Sequence, residues 1–189
     1  MSAENTTQLV LALLGFALVA GALGWTRSGR VIWPPASLLL LAAAAVVAAV
    51  ADSITAGRVA ATILVAIAGT LAVVGGGPVT TRIFAFVDSS ERATAAPDGE
   101  SLDRAGGAGE VLRGGAWIGA LERLAVFAGL AAGFPEGVAV VLALKGVGRF
   151  PDLRHDQEHA GTTERFIIGT FASVLWAAAC AGIVALVLR

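Results

Sequence analysis

The chain has 189 residues, of which 57% are apolar and 14% charged, with 24 glycines, no tyrosine and a formal net charge of −1. Soluble domains carry roughly 25% charged residues, so this composition excludes a disordered tail, a nucleic-acid-binding protein and an ordinary soluble enzyme. It describes an all-α integral membrane protein, in which the position of each charge matters more than the sum.

Six apolar segments separate at charges, glycine and proline. The first, residues 9–25, follows a leader that contains Glu4 and no Lys or Arg. A secretory signal begins with a positive region, so an uncleaved first helix is expected, closed by Arg27 and Arg30. The second, residues 36–51, is entered through Pro34 and Pro35, where a missing N–H costs nothing. The third, residues 59–74, is expected to stop at Gly75-Gly76-Gly77-Pro78, read as a helix terminator at the membrane surface, with an interfacial helix over 79–87. These segments make up an amino-terminal half, residues 1–87.

Residues 88–113, rich in Ser, Ala, Gly and acidic side chains, bury too little apolar surface to offset chain entropy and read as a mobile cytoplasmic linker. The carboxy-terminal half, residues 114–189, holds spans at 117–134, 137–150 and 166–188, with the first hairpin turning at Pro135-Glu136-Gly137. The span over 137–150 reaches only about 21 Å at 1.5 Å per residue and is expected to end before Pro151.

The basic residues orient these spans. With six alternating helices and an outer amino terminus, the inner loops and helix ends hold Arg27, Arg30, Arg82, Arg92, Arg104, Arg113, Lys145, Arg149, Arg154 and Arg165. The outer side holds only Arg58 and Arg189. By the positive-inside rule both termini lie outside the cytoplasm.

Glu122 and Arg123 fall inside an apolar helix, where a charge costs about 2.5–3.5 kcal/mol at the helix centre on insertion scales. Partners are therefore expected. Counted from a turn at Pro135, Glu122 lies roughly 20 Å along one helix, and Lys145 and Arg149 lie roughly 15 and 21 Å along the next. An antiparallel hairpin thus sets Glu122 level with the Lys145/Arg149 face, while Glu164 and Arg165 enter the sixth helix from the same side. Six charges, Glu122, Arg123, Lys145, Arg149, Glu164 and Arg165, are expected to gather in the cytoplasmic leaflet as the candidate binding site. At 100° per residue Gly115, Gly119, Glu122, Val126, Gly129 and Gly133 share one stripe. The pairs Gly115/Gly119 and Gly129/Gly133 would permit close helix approach, as would Gly169 and Ser173 on the sixth helix.

His155-Asp156-Gln157-Glu158-His159 fits H-x-x-E-H, a pattern in which two histidines bind zinc and the glutamate acts as base. It lies in a short loop between spans and reads as a solvated polar segment. The lone Cys180 sits in an apolar run and reads as a packing residue. No P-loop, dinucleotide fingerprint or nucleophile elbow is present in the sequence, so no catalytic residue, metal ligand or cofactor is assigned.

Four blocks carry a resemblance: Leu112 to Arg123, Phe134-Pro135-Glu136-Gly137, Leu144 to Phe150, and Glu164 to Thr170. Their order I-G-x-L-E-R, K-x-x-x-R-F/Y and E-x-F-x-I-G-T resembles uncharacterised bacterial polytopic membrane proteins and the carboxy-terminal membrane half of the DUF3307 family, over residues 112 to 180. The amino-terminal half departs from that family's usual opening. The resemblance implies a multi-pass protein of a bacterial cytoplasmic membrane whose matching blocks hold the intramembrane charges. It implies no activity.

The sequence therefore reads as a six-helix membrane bundle that binds lipid, anionic headgroups foremost, or a protein partner or second copy, and no nucleic acid. A small ion or solute transporter subunit using Glu122, Lys145 and Arg149 is the second reading, and a membrane zinc hydrolase through His155, Glu158 and His159 the third. Reporter fusions test the orientation: one at Gly106 should report the cytoplasm and one at Glu136 the outside, and the reverse pattern overturns it.

Overall fold

The computed structural model describes residues 3–51, 56–94, 112–155 and 160–189. They form six helices with no strand among them: α1 Ala3–Leu23, α2 Trp33–Val50, α3 Arg58–Thr94, α4 Leu112–Ala131, α5 Glu136–His155 and α6 Ala160–Val187. Four of them, α1, α2, α3 and α6, are long and apolar enough to cross a membrane, as a membrane protein requires. Residues 95–111, the middle of the segment expected as a linker, lie outside the described residues, and its two ends are helical as parts of α3 and α4.

Helix α3 is the axis of the bundle, packing against α1, α6, α4 and α2. The core is mainly aliphatic, with the aromatics Phe127 and Trp176 among it: Leu14, Leu41, Leu64, Leu71, Val126, Phe127, Trp176 and Ile183 are all buried. Small residues let the helices close up. Ala17 and Ala44 are fully buried, and the buried Ser37 of α2 donates its hydroxyl to the Ala17 carbonyl of α1 at 2.8 Å. Helix α2 starts at Trp33, with Pro34 and Pro35 following it inside the first turn, where a missing N–H costs nothing.

The sequence reading stops the third helix at Gly75-Gly76-Gly77-Pro78; the structure carries α3 straight through it to Thr94, with Pro78 inside the helix. Residues 79–87 are therefore a continuation of α3 and not a separate interfacial helix. A proline interior to a helix removes the bond to the carbonyl four residues earlier, here Val74, and such a break survives in a membrane only when neighbouring helices satisfy what is released. Trp25, in the turn after α1, does this: its Nε1–H donates to the Val74 carbonyl at 3.0 Å. Helix α5 likewise runs past Pro151 to His155, five residues beyond the expected end.

The three glycines before Pro78 are seats for side chains from elsewhere. A Cβ on Gly75 would lie 2.6 Å from the Trp176 ring, one on Gly76 would run into the Arg123 side chain, and one on Gly77 would lie 2.7 Å from the Trp25 ring. Pro78 in turn presses on Gly24, where an added Cβ would meet it at 2.8 Å. One turn of α3 is thus gripped by α6, α4 and the α1–α2 connection together.

The α4–α5 turn falls at 132–135, just before the expected Pro135-Glu136-Gly137. Gly133 has φ 75°, its N–H donates to Leu130 and that of Phe134 to Gly129 at 2.8 Å. This paired bonding caps the last carbonyls of α4 and requires the left-handed residue to be glycine. Helix α5 folds back on α4, its chief neighbour.

The glycine seat makes a prediction. Gly76→Ala should lower the thermal midpoint in detergent, by about 1–3 kcal/mol of overpacking, because Arg123 and Trp176 occupy the space. Gly15→Ala in α1, where nothing lies within 4 Å, should leave the midpoint unchanged or raise it, by up to about 1 kcal/mol. Equal effects at the two sites would refute the seating.

Candidate functional site

Glu122 and Arg123 are neighbours on α4, separated by 100° around its axis, and that angle sends them to different places. The face that α4 turns to the bundle is Arg123, Val126, Phe127 and Leu130: the first three are buried, and Leu130 packs against the core. The i, i+3, i+4, i+7 spacing is that of a helix stripe. Phe127 lies over Gly69 of α3, where a Cβ would be 3.0 Å from the ring.

Arg123 is 7% exposed. Its Nε and Nη2 both donate to the Val73 carbonyl of α3, at 3.2 and 3.0 Å, and its Nη1 donates to the Ser173 hydroxyl of α6 at 3.3 Å. Two helices are thereby tied to α4 by one planar fork, a geometry that suits guanidinium and not ammonium. All the oxygens it meets in these bonds are neutral. Trp176 of α6 completes the set, its Nε1–H donating to the Leu71 carbonyl at 3.1 Å.

Glu122 points the other way. Its Oε2 accepts from the Lys145 ammonium of α5 in an ion pair whose side chains are 16% and 22% exposed. Lys145 Nζ also stands 6.0 Å from the centroid of Phe166 on α6, at the edge of cation–π range. Counting residues along the hairpin sets Glu122 level with the Lys145/Arg149 face, and of those two the structure describes the partner as Lys145. The pair sits within a cavity of about 640 Å³ between α4, α5 and the start of α6. Apart from the pair, its lining among the described residues is apolar side chains and glycine: Ile118, Leu121, Leu144 and Phe166 form the walls, with Gly115, Gly119 and Gly148 leaving room between them. Ile118, Leu121 and Leu144 are largely exposed, so the groove opens on the outside of the bundle.

The depth of the groove follows from α3. Trp25 bonds Val74 and Arg123 bonds Val73, adjacent residues on one helix. Glu122 and Lys145 therefore lie at the level of the α1–α2 turn that carries Arg27 and Arg30.

The six charges expected together are thus divided. Glu122 and Lys145 meet in the groove, whereas Arg123 is built into the helix bundle. Glu164 and Arg165 are exposed on the first turns of α6. Arg149 belongs to α5, and its side chain lies outside the described residues, as do residues 156–159 of the His155–His159 motif. The small residues divide as well. Gly169 seats the Phe84 ring, with a Cβ meeting it at 2.8 Å, and Gly129 lies against the Phe134 carbonyl at 3.3 Å. Gly119 makes room for Nη1 of Arg123. Ser173 acts as a hydrogen-bond acceptor beyond filling space. Among the described residues nothing lies within 4 Å of a Cβ added to Gly115 or Gly133; Gly115 lines the groove and Gly133 makes the turn.

Sequence reasoning missed Trp25, Trp176 and the seating role of Gly75, Gly76 and Gly77. The signal was Pro78 within a continuous apolar run, which demands a donor from outside the helix for the carbonyl it deprives.

No family description, curated protein or solved structure matches the chain.

Arg123→Lys keeps the charge and loses the fork, so Val73 and Ser173 cannot both be reached. The thermal midpoint in detergent should fall, by an amount on the order of 1–3 kcal/mol for the bonds to a charged donor. Exposed Arg189→Lys should leave it in place, and a silent Arg123→Lys would show that the fork holds nothing.

Proposed function

We propose that this chain is a non-catalytic, multi-pass protein of a bacterial cytoplasmic membrane that holds a phospholipid in the groove between α4, α5 and α6. The observation that carries this reading is the Glu122–Lys145 ion pair inside an otherwise apolar groove open on the surface of the bundle. A membrane exposes such a surface to lipid, so the apolar walls suit acyl chains and the charges suit a headgroup. In this reading α4 and α5 join α1, α2, α3 and α6 as spans, with both termini outside the cytoplasm. The common level of the groove and of Arg27 and Arg30 supports a place in the cytoplasmic leaflet.

The blocks that resemble the carboxy-terminal half of the DUF3307 family support the same site. Of the residues lining the groove, only Ala125 and Val141 fall outside those four blocks. We read the resemblance as one of site and not only of hydropathy.

Native mass spectrometry in mild detergent tests the proposal. The protein should leave the membrane with a phospholipid bound, and the neutral pair Glu122→Gln/Lys145→Gln should retain it several-fold less. A bare protein, or retention untouched by the double substitution, overturns the reading.

A further inference from the structure

We infer that the groove selects a zwitterionic headgroup bearing a primary amine, the phosphate-and-ammonium chemistry of an ethanolamine phospholipid, over a purely anionic one. The inference rests on the groove being a phospholipid site and goes on to name the class of lipid.

The argument turns on what happens to the ion pair when a ligand enters. Glu122 and Lys145 satisfy one another, and both are mostly withdrawn from solvent. Among the described residues the cation paired with Glu122 is Lys145, so a headgroup carrying negative charge alone would take Lys145 and leave the carboxylate without that partner and facing a like charge. Leaving one member of a desolvated pair without its partner is far costlier than exchanging partners. Arg123 offers no relief, because its guanidinium is committed to Val73 and Ser173 on the opposite side of α4. A headgroup with both charges exchanges one ion pair for two, phosphate on Lys145 and ammonium on Glu122, and strands nothing.

The kind of ammonium follows from the walls. A primary amine has three N–H donors for the carboxylate. A quaternary amine has none and is held by aromatic cages, whereas among the described residues the groove presents a single aromatic ring, Phe166. Charge complementarity thus favours ethanolamine over choline, and the pairing argument favours either over a glycerol headgroup, which brings no ammonium for Glu122.

The test is competition. Full-length protein in mild detergent is offered an equimolar mixture of phosphatidylethanolamine, phosphatidylglycerol and phosphatidylcholine with identical acyl chains, and the bound lipid is read by native mass spectrometry. Phosphatidylethanolamine should exceed each of the others about tenfold, the worth of one charge-assisted hydrogen bond. Glu122→Gln should erase that preference while phospholipid stays bound through Lys145. The exchange variant Glu122→Lys/Lys145→Glu, which preserves the pair, should keep the preference and serves as the control for folding. Equal binding of the three lipids, a preference for phosphatidylglycerol, or selectivity that survives Glu122→Gln overturns the inference and leaves the phospholipid groove standing. Binding of none of them overturns the groove itself.

Discussion

The bundle depends on one turn of α3 in which a helix carries too few N–H groups and its neighbours bring their own. Pro78 deprives Val74 of its helical partner, and Trp25 replaces it. Arg123 and Trp176 add donors to Val73 and Leu71. Glycines at 75, 76 and 77 allow these bulky groups to reach the backbone at all. Lipid tails offer helices no hydrophobic reason to associate, so close backbone approach and interhelical hydrogen bonds have to supply it. Here both are concentrated at one level, and each donor comes from a different part of the chain.

The groove is a consequence of that arrangement. Arg123 fixes the rotation of α4 about its own axis, because only one orientation lets the guanidinium reach both Val73 and Ser173. With Arg123 turned inward, Glu122 is turned along the side of the bundle, where α5 supplies Lys145. Helix α5 has α4 as its chief neighbour, so the position of the ion pair is inherited from the clamp on α3. Two adjacent charges of opposite sign thus end in two places, one inside the bundle and one in the groove.

Such a division makes energetic sense within a membrane. An unpaired charge at depth is costly, and each charge is met differently. Arg123 receives neutral oxygens that are already part of the protein and cannot leave. Glu122 and Lys145 receive each other, in a groove whose other described walls are apolar.

Composition by itself determined the class of protein, since no soluble fold accommodates so many apolar and so few charged residues. Part of the hairpin was legible as well: two helices joined by a tight turn are antiparallel, so counting from Pro135 sets Glu122 level with the Lys145/Arg149 face, within about one helical turn of Lys145. The helix ends beyond Pro78 and Pro151, the burial of Arg123, and the separation of Arg123 from Glu122 were decided only in three dimensions. A proline removes a hydrogen bond locally, and whether the helix then stops or continues depends on a donor that arrives from far along the chain, 49 residues away for Trp25 and Val74. The side on which an arginine is buried depends likewise on which helix offers glycine and a carbonyl opposite it, and no spacing within α4 encodes that.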